Sequence, residues 1–150
     1  MPVVRVETVI RAPIERCFDL ARDPEVHTRS TAQSGERIVS RTGSGLLQLG
    51  DLITFEAVHL GIRQQLTAQI TRLERPHLFK DQQVRGAFQG FRHLHTFQAV
   101  PGGTLMTDLF AYRAPLGPLG RLSEWLFLTR YLRRFLTSRA AYLKHHAEAG

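Results

Sequence analysis

Lysine is nearly missing from this chain: only Lys80 and Lys144 carry an ammonium, and the other 18 basic residues are arginine. Cysteine is reduced to Cys17. No internal disulfide can therefore form, and no multi-cysteine zinc site is available. Long apolar runs are missing too. The most apolar stretch, Leu119 to Leu136, carries Arg121, Glu124, Arg130, Arg133 and Arg134, whereas a bilayer-spanning helix needs about 20 mostly apolar residues. The opening Met-Pro-Val-Val-Arg-Val-Glu-Thr is broken by Arg5 and Glu7 before a signal-type core can form. These absences predict a cytoplasmic protein. There is no Gly-x-Ser-x-Gly, no phosphate loop and no Gly-x-Gly-x-x-Gly, and Gly43-Ser44-Gly45 reads as a turn.

What is present suits one ordinary globular domain over residues 1–150. Hydrophobic residues make up 43% and charged residues 22%, close to globular averages. The formal charge is +7, but the arginines are scattered until residue 120. That spread argues against a nucleic-acid surface, which needs its cations clustered.

Residues 3–10 alternate as a strand. Pro13 suits a first helical turn, with Ile14, Phe18 and Ala21 at helical spacing. Asp23 and Pro24 restart a second short helix as N-cap and first residue. Strands follow at Glu36–Arg41, Asp51–His59, Ile62–Arg72, Leu78–Arg85, Phe91–Ala99 and Thr104–Tyr112. Gly61 marks a tight connection, and Pro101-Gly102-Gly103 marks another. Pro115-Leu116-Gly117-Pro118 ends strand structure. From Gly120 to about Ala147 apolar residues recur at three and four, which predicts a long amphipathic helix. Strands in hairpin succession with segregated helices predict an α+β fold with a curved antiparallel sheet of seven strands. One helix cannot fill the concave face of such a sheet, so a cavity is expected between them.

The element order, the opening Val9-Ile10-Arg11-Ala12-Pro13-Ile14-Glu15-Arg16-Cys17-Phe18 and the segments Phe91–Phe97, Gly103–Asp108 and Pro115–Gly117 resemble one known family. It is the START/birch-pollen-allergen-like superfamily, also called SRPBCC or polyketide cyclase/dehydrase and lipid transport. They look like a bacterial branch of it that has some cell-division-inhibitor-like members. Cys17 stands where a valine is more usual. The resemblance covers essentially the whole chain and implies the helix-grip fold with an internal cavity for an apolar ligand. It carries no particular chemistry.

The sharpest polar constellation is His93, His95 and Asp108. Residues two apart on a strand share a face, so Phe91, His93, His95 and Phe97 go together, as do Met106, Asp108, Phe110 and Tyr112. A turn at 101–103 pairs residues whose numbers sum to about 203–204, setting His95 opposite or one step from Asp108. Flanking phenylalanines suggest that this face points inward; the apolar Leu105, Leu109 and Ala111 on the other face leave the reverse open. An inward His95–Asp108 pair suits acid/base work of cyclase or dehydratase type, with Asp108 orienting the imidazole. The competing readings are ligand-orienting polar groups and a satisfied structural pair. His93-x-His95 with Asp108 also offers two imidazoles and a carboxylate; no fourth ligand is obvious, though Glu56 and His59 are available at a distance that spacing does not fix. No metal and no cofactor is assigned from the sequence. Cys17 reads as a small buried hydrophobe.

The expected cavity walls are Phe55, Leu66, Ala68, Phe91, His93, His95, Phe97, Met106, Asp108, Phe110, Tyr112, Trp125, Leu128 and Leu132. Phe88, on a loop between Gly86 and Gly90, and Leu116 or Leu119 are expected at the entrance. The expected partner is a small, largely apolar molecule. Surplus apolar residues on the long helix, Phe127 and Tyr131 among them, leave a homodimer open. Arg130, Arg133 and Arg134 leave open a macromolecule docking on the basic helix.

Overall fold

Strand β1, Val3–Ile10, buries Val4, Val6 and Ile10 and exposes Val3, Arg5 and Glu7, the period-two alternation of a strand with one covered face. The computed structural model describes residues 2–59, 61–113 and 127–150, and of Gln33 the backbone alone. Helix α1, Ile14–Ala21, opens after Pro13 and buries Cys17, Phe18 and Ala21. Helix α2, Pro24–Ser30, starts as expected: the Asp23 carboxylate accepts from the Glu25 amide at 3.0 Å, and Pro24 occupies the first turn. A short 3-10 turn, Ala32–Ser34, leads into the sheet; the sequence reading did not include it.

The remaining strands are β2 Arg37–Arg41, β3 Leu52–His59, β4 Ile62–Glu74, β5 Leu78–Arg85, β6 Gly90–Val100 and β7 Gly103–Arg113. They form one antiparallel sheet in the order β1-β7-β6-β5-β4-β3-β2. Hairpins link β2 through β7, and β1 closes against β7. Register shifts at Ile38/Ser40, Thr67/Ala68 and Ile70/Arg72 bend the β2–β5 half, because a bulge adds a residue to one strand only and increases its local twist. Strand β4 runs past Arg72, since Leu73 and Glu74 still pair with Phe79 and Leu78.

The β6–β7 turn is tight for a steric reason. Gly102 has φ +81°, and a Cβ at Gly103 would collide with the Ile10 carbonyl of β1. That turn holds β6 and β7 in register from Val100↔Gly103 to Gly90↔Arg113.

Helix α3, Thr129–Ala149, buries Leu132, Leu136, Arg139, Ala140, Leu143 and Ala147. It packs along β1 and against α1 and α2. Arg133 and Lys144 donate to the Arg5 and Val9 carbonyls at 3.0 and 2.7 Å. Arg16 of α1 donates to the Ala147 and His146 carbonyls at 2.9 and 3.2 Å, satisfying acceptors that a helix C-terminus leaves open. Phe127 and Leu128 precede α3 in a wider turn. The expected start at Gly120, together with Pro115, Leu116, Pro118, Leu119 and Trp125, lies outside the described residues.

Candidate functional site

The concave face of the sheet carries a buried cluster of charges. Alternation sends Phe79 and Asp81 of β5, His93 and His95 of β6, and Asp108 of β7 to this face. Register sets His93 beside Asp81 on one side and Phe110 on the other, and His95 beside Phe79 and Asp108. Their hydrogen bonds run diagonally. His93 Nε2 lies 2.9 Å from Asp108 Oδ1, and His95 Nε2 lies 2.9 Å from Asp81 Oδ1. His95 Nδ1 faces Asp108 Oδ1 at 3.2 Å without hydrogen-bond alignment. The two imidazoles stack with centroids 3.7 Å apart, and Phe79 stacks on His95 at 4.1 Å. Asp108 is fully buried.

Arg139 reaches this cluster from α3. Its Nη2 donates to the Ala21 carbonyl at 3.2 Å, its Nε donates to His27 Nδ1 at 3.2 Å, and its Nη1 stands 3.6 Å from Asp108 Oδ1. With His27 Nδ1 accepting, the ring's N–H is Nε2, which stands 2.5 Å from Glu36 Oε1. A continuous polar path thus runs Glu36–His27–Arg139–Asp108–His93/His95–Asp81. Four buried atoms on it have no aligned hydrogen-bond partner: Glu36 Oε1, His95 Nδ1, Asp108 Oδ2 and Arg139 Nη1.

Burial is the strongest single influence on Asp81, His93, His95 and Asp108, and it opposes charge. In Asp108 the imidazoles of His93 and His95 override it and hold the carboxyl well below the usual carboxylate range. His95 does the same for Asp81. Burial also pulls His95 down, but Asp108 and Asp81 together lift it above its ordinary value. His93 goes the other way: burial, then the neighbouring His95, push it down to about 4. The two stacked histidines are thus shifted in opposite directions, His95 toward the protonated form and His93 toward the neutral one. Ionised Asp108 only accepts, so neutral His93 donates from Nε2 and keeps its lone pair on Nδ1.

This cluster forms the polar floor of a cavity of about 60 Å³. Asp81, His93, His95 and Arg139 line its floor, and Ile53, Phe55, Ala68, Ile70, Phe79 and Leu47 line its apolar walls. Asp108 stands behind the histidines. The rim is Ala21 to Pro24 with His27. Arg22 clasps the 42–51 loop there: it donates to the Leu47 carbonyl at 3.0 Å and to Gln48 Oε1 at 3.3 Å, while the Leu47 amide donates to the Arg22 carbonyl at 3.1 Å. A second hollow along Gln82, Gln83, Gln89, Gly90, Phe91, Arg92 and Arg113 takes residues from both faces of the sheet. It is larger, about 580 Å³, and more open, and lies at one end of the sheet.

Of the residues expected around a cavity, Phe55, Ala68, His93 and His95 line the described one. Phe88 belongs to an aromatic cluster at the far end of β6 and β7, with Phe91, Phe110 and Tyr112 at 6.1, 6.0 and 5.7 Å. Phe97 packs with Phe18 and Phe79. Met106 and Leu132 are buried in the core, while Leu66 and Leu128 pack half-buried against it. Glu56 and His59 are not part of the cluster. Glu56 faces the convex side, bonded to Arg37, Arg63 and Gln65, and His59 pairs with Tyr131.

The sequence reading missed Asp81, Arg139, His27 and Glu36. Arg139 left a signal: it falls inside the apolar stripe Leu132–Leu136–Leu143, where a cation needs a buried partner. Asp81 left another, since it shares the inward face of its strand with Phe79.

A long helix gripped by a curved antiparallel sheet, with a cavity between them, defines the helix-grip class. The family model described as polyketide cyclase / dehydrase and lipid transport matches residues 1–148, and the chain belongs to that family. No curated protein sequence matches it. Solved structures share the fold. TTHA0849 from Thermus thermophilus superposes with a TM-score of 0.80 at 21% identity, over 99% of this chain and 98% of that one. A START superfamily protein from Mycobacterium smegmatis gives 0.75 at 13%, over 98% and 97%. The Bet v 1-like protein Ara h 8.0201 gives 0.70 at 12%, over 99% of each chain. Among the described residues, no helix is long and apolar enough to cross a membrane.

Proposed function

We propose that this protein binds a small, largely apolar molecule of lipid, polyketide or aromatic type between α3 and the sheet, its polar end on the floor formed by Asp81, His93 and His95. The observation that carries this reading is one cavity with apolar walls and convergent polar side chains, in a family whose description includes lipid transport. Apolar walls supply the driving force, and a few polar groups fix orientation.

The cavity's size adds a requirement. At about 60 Å³ it is well below the roughly 300–1,000 Å³ of ordinary ligand sites. A ligand body therefore enters only when a wall parts, and the Arg22–Leu47 clasp, held at the rim by three hydrogen bonds, is such a wall. Native mass spectrometry of the purified protein, with organic extraction of what it carries, tests the reading. One bound apolar molecule per chain is expected. Repeated absence of any such molecule, with no uptake of added apolar compounds, overturns it.

A second reading rests on the opposed histidines. His95 lies between Asp81 and Asp108, which raise it above its ordinary value; that suits a general acid, with Asp108 orienting the ring. This is the chemistry a cyclase or dehydratase requires. Once a substrate is in hand, unchanged turnover in His95→Ala removes it.

A further inference from the structure

We infer that Asp81, His93 and His95 form a binding site for a first-row divalent cation such as Zn²⁺ on the floor of the cavity. One ligand atom from each of these residues lies within 4.8 Å of the others. Four-coordinate zinc with nitrogen and oxygen ligands at ~2.0–2.2 Å holds its donors roughly 3.3–3.5 Å apart. Small rotations of three side chains close that gap. Histidines two apart on one strand project side by side, as their 3.7 Å stacking shows.

The second observation is what stands behind the histidines. Asp108 is placed to orient both rings: Oδ1 is 2.9 Å from His93 Nε2 and 3.2 Å from His95 Nδ1. Each ring then has its other nitrogen, His93 Nδ1 and His95 Nε2, as the ligating atom. Metal-bound histidines almost always donate their second N–H to a carboxylate, a backbone carbonyl or water, and Asp108 is such a carboxylate. His95 Nδ1 and Asp108 Oδ2 are also buried and without a hydrogen-bond partner. When a cation takes His95 Nε2 it displaces the proton now shared with Asp81, and Nδ1–H can then align on Asp108.

Charge points the same way. Asp81, Asp108 and Glu36 are three buried or half-buried carboxylates against the single guanidinium of Arg139. A divalent cation placed among these carboxylates leaves the cluster closer to neutral. Nitrogen and oxygen donors without thiolate select zinc, cobalt or ferrous iron over softer ions.

The test is calorimetric titration of chelator-treated full-length protein with Zn²⁺, and absorption spectroscopy with Co²⁺. One saturating equivalent and a tetrahedral-type cobalt spectrum are expected. His95→Gln should weaken zinc binding by at least ~10-fold, and Asp108→Asn by ~10–100-fold through the loss of ring orientation. His77→Ala/His145→Ala, which removes exposed imidazoles, should leave it unchanged. If His95→Gln does not fold, Asp81→Asn decides, because Asp81 is partly exposed and loses only its charge. Absence of a saturable equivalent overturns the site, and so does affinity that survives both His95→Gln and Asp81→Asn. Uptake of an apolar probe by the chelated protein is a separate readout, so failure here leaves the ligand reading standing.

Discussion

The two faces of the sheet use the same kinds of charged residue under opposite conditions. On the convex face, Glu56 accepts from Arg37 at 2.8 Å, Arg63 at 3.0 Å and Gln65 at 3.0 Å. These bonds, led by that from Gln65, draw its carboxyl down to about 2. Both arginines remain mostly in water. On the concave face, Asp108 has comparable partners but no solvent. Exposed pairs trade protein contacts for water at nearly even exchange, whereas a buried network left half-satisfied exposes each member to full desolvation. Glu56 is itself largely covered, but its arginine partners reach water, so the convex network is the less costly to break, and the concave one decides whether this sheet keeps a polar floor.

Asp108→Ala should break the comparison most strongly. It strips Arg139, His93 and His95 of their shared acceptor and leaves buried groups unpaired, at a cost of about 3–5 kcal/mol. Urea unfolding reads this directly; a loss under about 1 kcal/mol would mean that water already serves the cluster.

Acid should act on the concave face next. His93 is held near 4 in the folded state, against about 6.5 unfolded. A depressed histidine binds its proton in the unfolded chain first, so its contribution is present above about pH 6.5 and is lost as pH falls toward 4. His95, raised by its carboxylates, acts in the other direction, and its contribution is lost as pH climbs through its raised value. Chelated protein should thus be most stable between these limits, and His93→Gln should flatten the acid side. An unchanged slope between pH 6.5 and 4 in that variant contradicts the assignment.

A smaller effect is expected from Arg22→Ala at the rim. It removes the bonds to Leu47 and Gln48 and the guanidinium stacked 5.3 Å from the Phe18 centroid. Hydrogen exchange over residues 42–51 should accelerate, and apolar probes should enter faster. Equal exchange in both proteins would place the opening elsewhere. The smallest effect belongs to Glu56→Gln: a slight fall in thermal midpoint that high salt abolishes.

What the sequence revealed of this cluster follows from how its parts are connected. The β6–β7 hairpin turns at Gly102-Gly103, so simple addition places His95 opposite Asp108. Strand alternation with phenylalanines at 91, 97 and 110 marked the inward face. Asp81 escaped notice because the 86–89 connection does not fix the β5–β6 register by length, and the pairing that joins it to His95 is diagonal. Arg139 escaped because a helical stripe is read by its apolar members, and His27 and Glu36 because nothing in their local sequence points at a helix 112 residues away. The cavity walls were named from face alone. Alternation says which side a residue takes, but the packing of α1 and α3 decides how much of that side stays open. Among the described residues, that packing filled the Phe97–Met106 end with core, while the polar-floored cavity lies near Ile53, Ala68 and His93.

The central claim, a cavity between helix and sheet that takes an apolar molecule, is tested most directly by titrating N-phenyl-1-naphthylamine into the wild type and Ala68→Leu. Ala68 is buried on the cavity wall, and the larger side chain fills that space while remaining apolar. The account predicts one saturable fluorescent site in the wild type and at least a ~10-fold weaker one in the variant, since a filled pocket loses the area that drives binding. Equal affinity in two folded proteins would contradict it.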